Sequence, residues 1–200
     1  MAPYVPRKPY SGPRPKLPTV PKLPVRPLKV GDAYTVWGAS YSLRHSSLRA
    51  TVDGKSIRIR GVIGKTNLPT APLCAVHPPG RADPEGCRAP VPTLWLCDRM
   101  GDRPEDCIQV QGWASNYAQI YGAMREYRLR RGARYVDSYW GIEIPNPLPA
   151  RGAEVTVTGR YSQTFTGAST GVSSDPIMGI VTYEQMQTHR PAPRRASLPK

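Results

Sequence analysis

Four cysteines, Cys74, Cys87, Cys97 and Cys107, fall within one short stretch of the chain. They offer three chemistries. Consecutive pairing would close two small loops, Cys74 to Cys87 around a Pro/Gly-rich segment and Cys97 to Cys107 across the turn Met100-Gly101-Asp102-Arg103-Pro104. Each such bridge contributes about 2–4 kcal/mol, mostly by restricting the unfolded chain. Four cysteines allow three connectivities, and spacing alone does not choose among them. A metal reading starts from Cys74-Ala75-Val76-His77, which has the two-residue gap of a zinc half-site. The matching half-site is missing, because the other cysteines are widely spaced and lack a CxxC partner. Free buried thiols are the third reading. The expectation is at least one disulfide, with Cys97–Cys107 the first choice because the two positions flank a hairpin turn.

Groups that could perform catalysis are few. The three histidines, His45, His77 and His189, stand outside any recognisable hydrolase or metal motif. Cys74 and His77 form a thiolate pair only if the loop aims them at each other. Asp98, Asp102, Glu105 and Asp106 crowd one turn and could hold a divalent cation, but Arg99 and Arg103 interleave with them, so local charge pairing is the simpler account. No glycine-rich phosphate loop is present. The chain is therefore expected not to be an enzyme, with no catalytic residue, resident metal or cofactor.

Charge and proline organise the ends. Prolines recur at every third position, Pro3, Pro6, Pro9, Pro15, Pro18, Pro21, Pro24 and Pro27, with Pro13 off the beat. Polyproline II has three residues per turn, so these rings line one edge of an arm about 80 Å long at about 3.1 Å per residue. The other edges carry Arg7, Lys8, Arg14, Lys16, Lys22, Arg26 and Lys29 among apolar residues, with no acid before Asp32. The formal net charge is +14. Residues 1–30 carry seven of the basic groups, and the tail, residues 190–200, carries Arg190, Arg194, Arg195 and Lys200 without an acid. The middle, residues 31–189, is nearly balanced. Affinity for polyanions is thus expected to live in the two ends. The tail is expected to be disordered, and Arg194-Arg195-Ala196-Ser197 resembles a substrate of basophilic serine kinases, which makes Ser197 a possible phosphosite. No apolar run is long enough to span a membrane. The Met1 end lacks the apolar stretch of a secretory signal, while the clustered cysteines leave an exported location open.

The elements between the ends are read from periodicity. Strict alternation predicts strands at 56–63 (Ile57 and Ile59 against Arg58 and Arg60) and at 153–161 (Val155 and Val157). Weaker strand patterns cover 33–37, 139–144 and 177–183. A hairpin is predicted from Thr93–Cys97 and Cys107–Trp113, and one helix from Ser115 or Asn116 to a stop at Gly132, with Tyr117, Ile120, Tyr121, Met124 and Tyr127 at helical spacing. Arg125, Arg128, Arg130, Arg131 and Arg134 crowd its end, an arrangement that suits a nucleic-acid patch but is accounted for more simply by cations meeting the negative end of the helix dipole. The long connections are 64–92 and 162–174.

This order, with its helix between the third and fourth strands, resembles the OB-fold over roughly residues 55–187. Gly152-x-x-Val155-x-Val157-x-Gly159-Arg160 resembles the fourth strand of that barrel. The resemblance implies a mainly β, Greek-key barrel with one α-helix. It also implies a ligand face on the second and third strands, flanked by the loops after the first and fourth. Trp95, Trp113, Phe165 and Arg160 are the candidates for that face. The leading expectation for function is a structural or adaptor subunit whose basic arm lies in a groove of neighbouring protein subunits. Two others stand beside it: an OB-fold protein that binds single-stranded nucleic acid or RNA, and an exported protein that binds an anionic polymer.

Overall fold

The computed structural model describes Gly12, residues 26–163 and residues 177–199. Strands β1 (Lys29–Val30) and β2 (Ala33–Thr35) pair antiparallel, so Lys29 and Val30, read from sequence as the end of the arm, belong to the folded domain. The chain then turns into helix α1 (Val36–Arg44), which begins inside the short strand expected over 33–37. Two caps explain the difference. The Thr35 side chain accepts from the Gly38 amide at 2.8 Å, and Asp98 accepts from the Val36 and Trp37 amides at 2.8 and 2.9 Å. Together they satisfy three of the orphan donors of the first turn. A short α2 (Arg49–Val52) follows, so the described residues hold more than the one helix expected.

The barrel begins with β3 (Lys55–Thr66), longer than its alternating core, and continues with β4 (Leu94–Cys97) and β5 (Ile108–Gln111), all antiparallel neighbours. Helix α3 (Tyr117–Leu129) starts as predicted, with the Asn116 side chain accepting from the Gln119 amide at 3.0 Å. The stretch 139–144, expected as one strand, opens in a turn at Tyr139 and Trp140. Only β7 (Glu143–Ile144) is extended, and it pairs with β6 (Tyr135–Val136) in a small sheet outside the barrel. Strands β8 (Glu154–Ser162) and β9 (Ile180–Arg190) complete the wall. β5 runs parallel to β9, β9 pairs antiparallel with β8, and β8 returns to β3, so five strands close in the order β3-β4-β5-β9-β8. This is an OB-like barrel, with α3 between its third and fourth strands.

Alternate residues fill the interior: Ile57, Ile59 and Ile63 of β3, Leu94 and Leu96 of β4, Ile108 and Val110 of β5, Val155 and Val157 of β8. Each large aliphatic side chain so buried is worth about 1.5–3 kcal/mol. Tyr117, Ile120 and Ala123, on one face of α3, join the same core. β9 runs well past the predicted end at Tyr183 because β8 offers it a ladder as far as Glu154, opposite Arg190, and the two side chains form an ion pair. The described part of the segment after it, expected from sequence as a disordered tail, lies against the barrel. Ala192, Ala196 and Leu198 pack partly buried against the core. Pro193 lies over Gly152, whose φ is +93° and where an added Cβ would come within 2.9 Å of the Pro193 ring. The tail therefore requires glycine there twice, for conformation and for space.

Candidate ligand face on the barrel wall

Strand parity sets the outer wall of β3, β4 and β5. Leu94 and Leu96 point inward, so Trp95 points outward, where it is half-buried. The register puts Lys65 opposite Trp95 on one side and Gln109 opposite it on the other. The Lys65 ammonium lies 5.1 Å from the centroid of the Trp95 ring. A cation held over an aromatic face, with a carboxamide beside it, presents a stacking surface, a positive charge and a hydrogen-bonding edge together. Such a set fits a planar ring that carries or neighbours an anionic group.

The long connection between β3 and β4 rises beside this face, because Thr66 pairs with Leu94 at its root. It is tied down at several points. The Asn67 amide donates to the Val91 carbonyl at 2.8 Å and accepts from the Thr93 amide at 2.9 Å, clamping its two ends. Leu68, Ala71 and Ala75 enter the core from two 3-10 turns. Cys74 and Cys87 form a disulfide with Cα atoms 5.9 Å apart, and Cys97 and Cys107 form a second at 4.4 Å. Both consecutive bridges are therefore present, and neither the zinc half-site nor a Cys74–His77 thiolate pair exists in this state.

His77 instead bridges the Pro78 carbonyl at 3.0 Å and the Asp83 carboxylate at 2.9 Å. Two acceptors need two N–H donors, which only the imidazolium has. These bonds, the Pro78 one first, raise the His77 pKa above its usual value. A folded-state pKa above the unfolded one gives stability that is complete below about pH 6.5 and is lost as pH rises through the folded pKa. We expect an NMR titration of His77 to show a midpoint above 6.5, moving down in Asp83→Asn, and amide exchange in residues 73–87 to quicken above it. A midpoint at or below 6.5 would refute the doubly bonded imidazolium.

The other candidates disperse. Trp113 is 0 % exposed and belongs to the core. Gly112 precedes it with φ +84°, ending the alternation of β5 and turning the indole inward. Arg160 is exposed on β8, opposite Ser56 at the start of β3, whereas Trp95 is opposite Lys65 near the far end of that strand. Phe165 lies outside the described residues, as do Arg7, Lys8, Arg14, Lys16 and Lys22 of the arm. Arg26 is exposed, and Lys29 lies with its ammonium 4.3 Å from the Tyr34 ring centroid. Ser197 is exposed between two residues that pack on the core. The acidic turn is already engaged: Asp98 caps the distant α1, while Asp102 accepts from the Arg99 amide at 2.8 Å and Glu105 and Asp106 pair with Arg103. Of the arginines near the end of α3, Arg130 pairs with Glu126 and Arg134 with Glu143.

Lys65 and Gln109 are the members of the face that the sequence reading missed. Gln109 follows from parity once Ile108 and Val110 are read as inward. Lys65 lies just beyond the alternating part of β3, where nothing local shows that the strand continues.

Comparison with known proteins finds no matching family model and no matching curated protein. Among solved structures, the chain is similar to one described as an aspartyl-tRNA synthetase from Leishmania major Friedlin, at 13% identity and a TM-score of 0.36. The likeness covers 87% of this chain and 23% of that one, so the chain spans about a quarter of its length.

Proposed function

We propose that this chain is a non-enzymatic OB-type binding domain that holds a single-stranded nucleic acid against the outer wall of β3, β4 and β5. The observation that carries this reading is the Trp95 ring with the Lys65 ammonium above it and Gln109 beside it. Bases stack on an aromatic ring for about 1–3 kcal/mol each, and a neighbouring lysine meets phosphate. The net charge of +14 supplies the long-range attraction.

The test is fluorescence anisotropy of a labelled mixed-sequence DNA strand across a salt series. Trp95→Ala should weaken binding by about five- to 150-fold with the barrel still folded by circular dichroism. Lys65→Gln should reduce the salt slope by about 0.7. Unchanged affinity in Trp95→Ala sinks the proposal. If polygalacturonate displaces the strand and its own binding needs Trp95, the ligand is an acidic polysaccharide instead. The two disulfides lend that outcome weight, since such bonds persist in oxidising compartments.

A second reading, an adaptor subunit, is favoured by a separate observation. Tyr139 and Trp140 are 62% and 49% exposed on a turn held rigid by the buried Asp137 carboxylate. Exposed aromatics on a fixed backbone suit a protein partner. Removing residues 1–25 in the same assay separates the readings. Trp95-dependent strand binding survives the deletion if the barrel is the binding element, whereas an adaptor loses its association with neighbouring subunits.

A further inference from the structure

A second site is built where three distant segments meet. The end of α3, the segment Asn146–Ala150 and the chain after β9 enclose a cavity of about 370 Å³. That is within the range of about 300–1,000 Å³ typical of small-molecule sites. Its floor is apolar, with Leu148, Val155 and Met186 among its walls. Its rim carries Arg128 and Arg131 from α3 and Arg194 and Arg195 from the C-terminal segment. No aspartate or glutamate lines it. The acids nearby are engaged elsewhere: Glu126 with Arg130, Glu143 with Arg134 and Glu154 with Arg190. Among the described residues, none of the four rim arginines has a carboxylate partner.

Four arginines around one apolar hollow, with no acid among its lining residues, give it a positive potential set by their mutual repulsion, and the packing of Ala192, Ala196 and Leu198 on the core keeps two of them there. Binding an anion relieves that repulsion, and the hollow beneath favours an anion with an apolar body. We propose that this cavity binds a small amphipathic anion, with its hydrocarbon portion against Leu148, Val155 and Met186 and a phosphate or carboxylate head among the four arginines. Charge complementarity carries the choice. The basic N-terminal arm of this chain, which has no acid in residues 1–30, is excluded as occupant on the same ground. The site does not depend on the Trp95 face and stands or falls separately from it.

Calorimetry on the full chain with both disulfides intact tests the proposal, with monomeric decyl phosphate as probe and decanoate as the carboxylate counterpart. One decyl phosphate should bind per chain. Inorganic phosphate, which lacks the body, and decanol, which lacks the head, should each bind at least tenfold more weakly, and decyltrimethylammonium not at all. The paired substitution Arg194→Gln and Arg195→Gln, both at exposed positions, should weaken decyl phosphate about tenfold or more while leaving the fold and the fold-loss that Trp95→Ala causes in strand binding unchanged. Met186→Trp, which fills the hollow, should block the probe without removing charge.

No binding of either amphiphile overturns the proposal. So does binding that is indifferent to the arginine pair and to Met186→Trp. Attachment to phosphatidylglycerol vesicles without uptake of monomeric decyl phosphate also overturns it, because it would mark a basic surface and not a pocket. If the arginine pair weakens DNA binding and the amphiphiles do not bind, the rim serves nucleic acid and the proposal fails.

Discussion

Replacing Asp137 by alanine should lower the stability of the domain by about 3 kcal/mol or more, among the largest losses available from one polar side chain. Asp137 is fully buried, and its carboxylate accepts four hydrogen bonds. The Ser115 amide donates at 2.7 Å, the Ser115 hydroxyl at 2.9 Å, and the Tyr139 and Trp140 amides at 2.9 and 3.1 Å. Without the carboxylate, the Ser115 amide loses its acceptor beside the start of α3, and the 137–141 turn loses the group around which it folds. Each buried donor left unsatisfied costs about 1–3 kcal/mol. A protein of this length then melts some 6–12 °C lower, at about 2–4 °C per kcal/mol. Asp137→Asn keeps one acceptor oxygen and should lose roughly half as much. Thermal unfolding followed by circular dichroism measures both, and an Asp137→Ala loss below about 1 kcal/mol would mean that water replaces the carboxylate. The neighbouring Gln119 joins the same anchor: its side chain donates to the Ser138 hydroxyl at 2.7 Å and accepts from the Ser138 amide and the Tyr135 hydroxyl. Two buried polar side chains therefore hold β6, β7 and their exposed aromatic turn to the helix.

What was legible in the sequence was what local periodicity encodes. Val155 and Val157 announce β8 because one face of that strand is buried, and Asn116 announces α3 because its cap is three residues from its partner. The order of these elements sufficed for the barrel and its strand connectivity. The features that escaped depend on distant partners. Helix α1 starts at Val36 because Asp98, far along the chain, accepts its first amides. The outer half of β9, Glu184–Arg190, has polar residues on both faces and shows no strand pattern; the backbone ladder of β8 holds it extended. Trp95 and Trp113 read alike in sequence, each in a strand of the same hairpin. Parity puts the first outside, and the left-handed backbone at Gly112 puts the second inside. The arginine-rimmed cavity was the least visible, because its charges come from two segments, the end of α3 and the tail, that lie far apart in sequence and carry no local sign that they meet.

The two disulfides should prove unequal, and the inequality distinguishes packing from chain entropy. Their sequence separations are 13 and 10. Loop closure alone assigns each about 3 kcal/mol, with a difference of only about 0.2 kcal/mol in favour of Cys74–Cys87. Burial reverses the order. Cys97 and Cys107 are each 1% exposed, whereas Cys74 is exposed and Cys87 is half-buried. Replacing Cys97 and Cys107 together by alanine opens a hole between the hairpin and β3, where the Cys97 sulfur packs against Gly64, and should cost about 1–3 kcal/mol beyond the entropic share. The pair Cys74→Ala and Cys87→Ala should cost the entropic share alone. Urea unfolding of the two double variants gives both numbers, and losses equal within about 0.5 kcal/mol would show that the buried sulfurs add nothing to packing. The second pair should reveal itself elsewhere. The Cys74–Cys87 bridge steadies a connection rooted beside Trp95, so its removal should weaken ligand binding on that face more than its modest effect on unfolding would suggest.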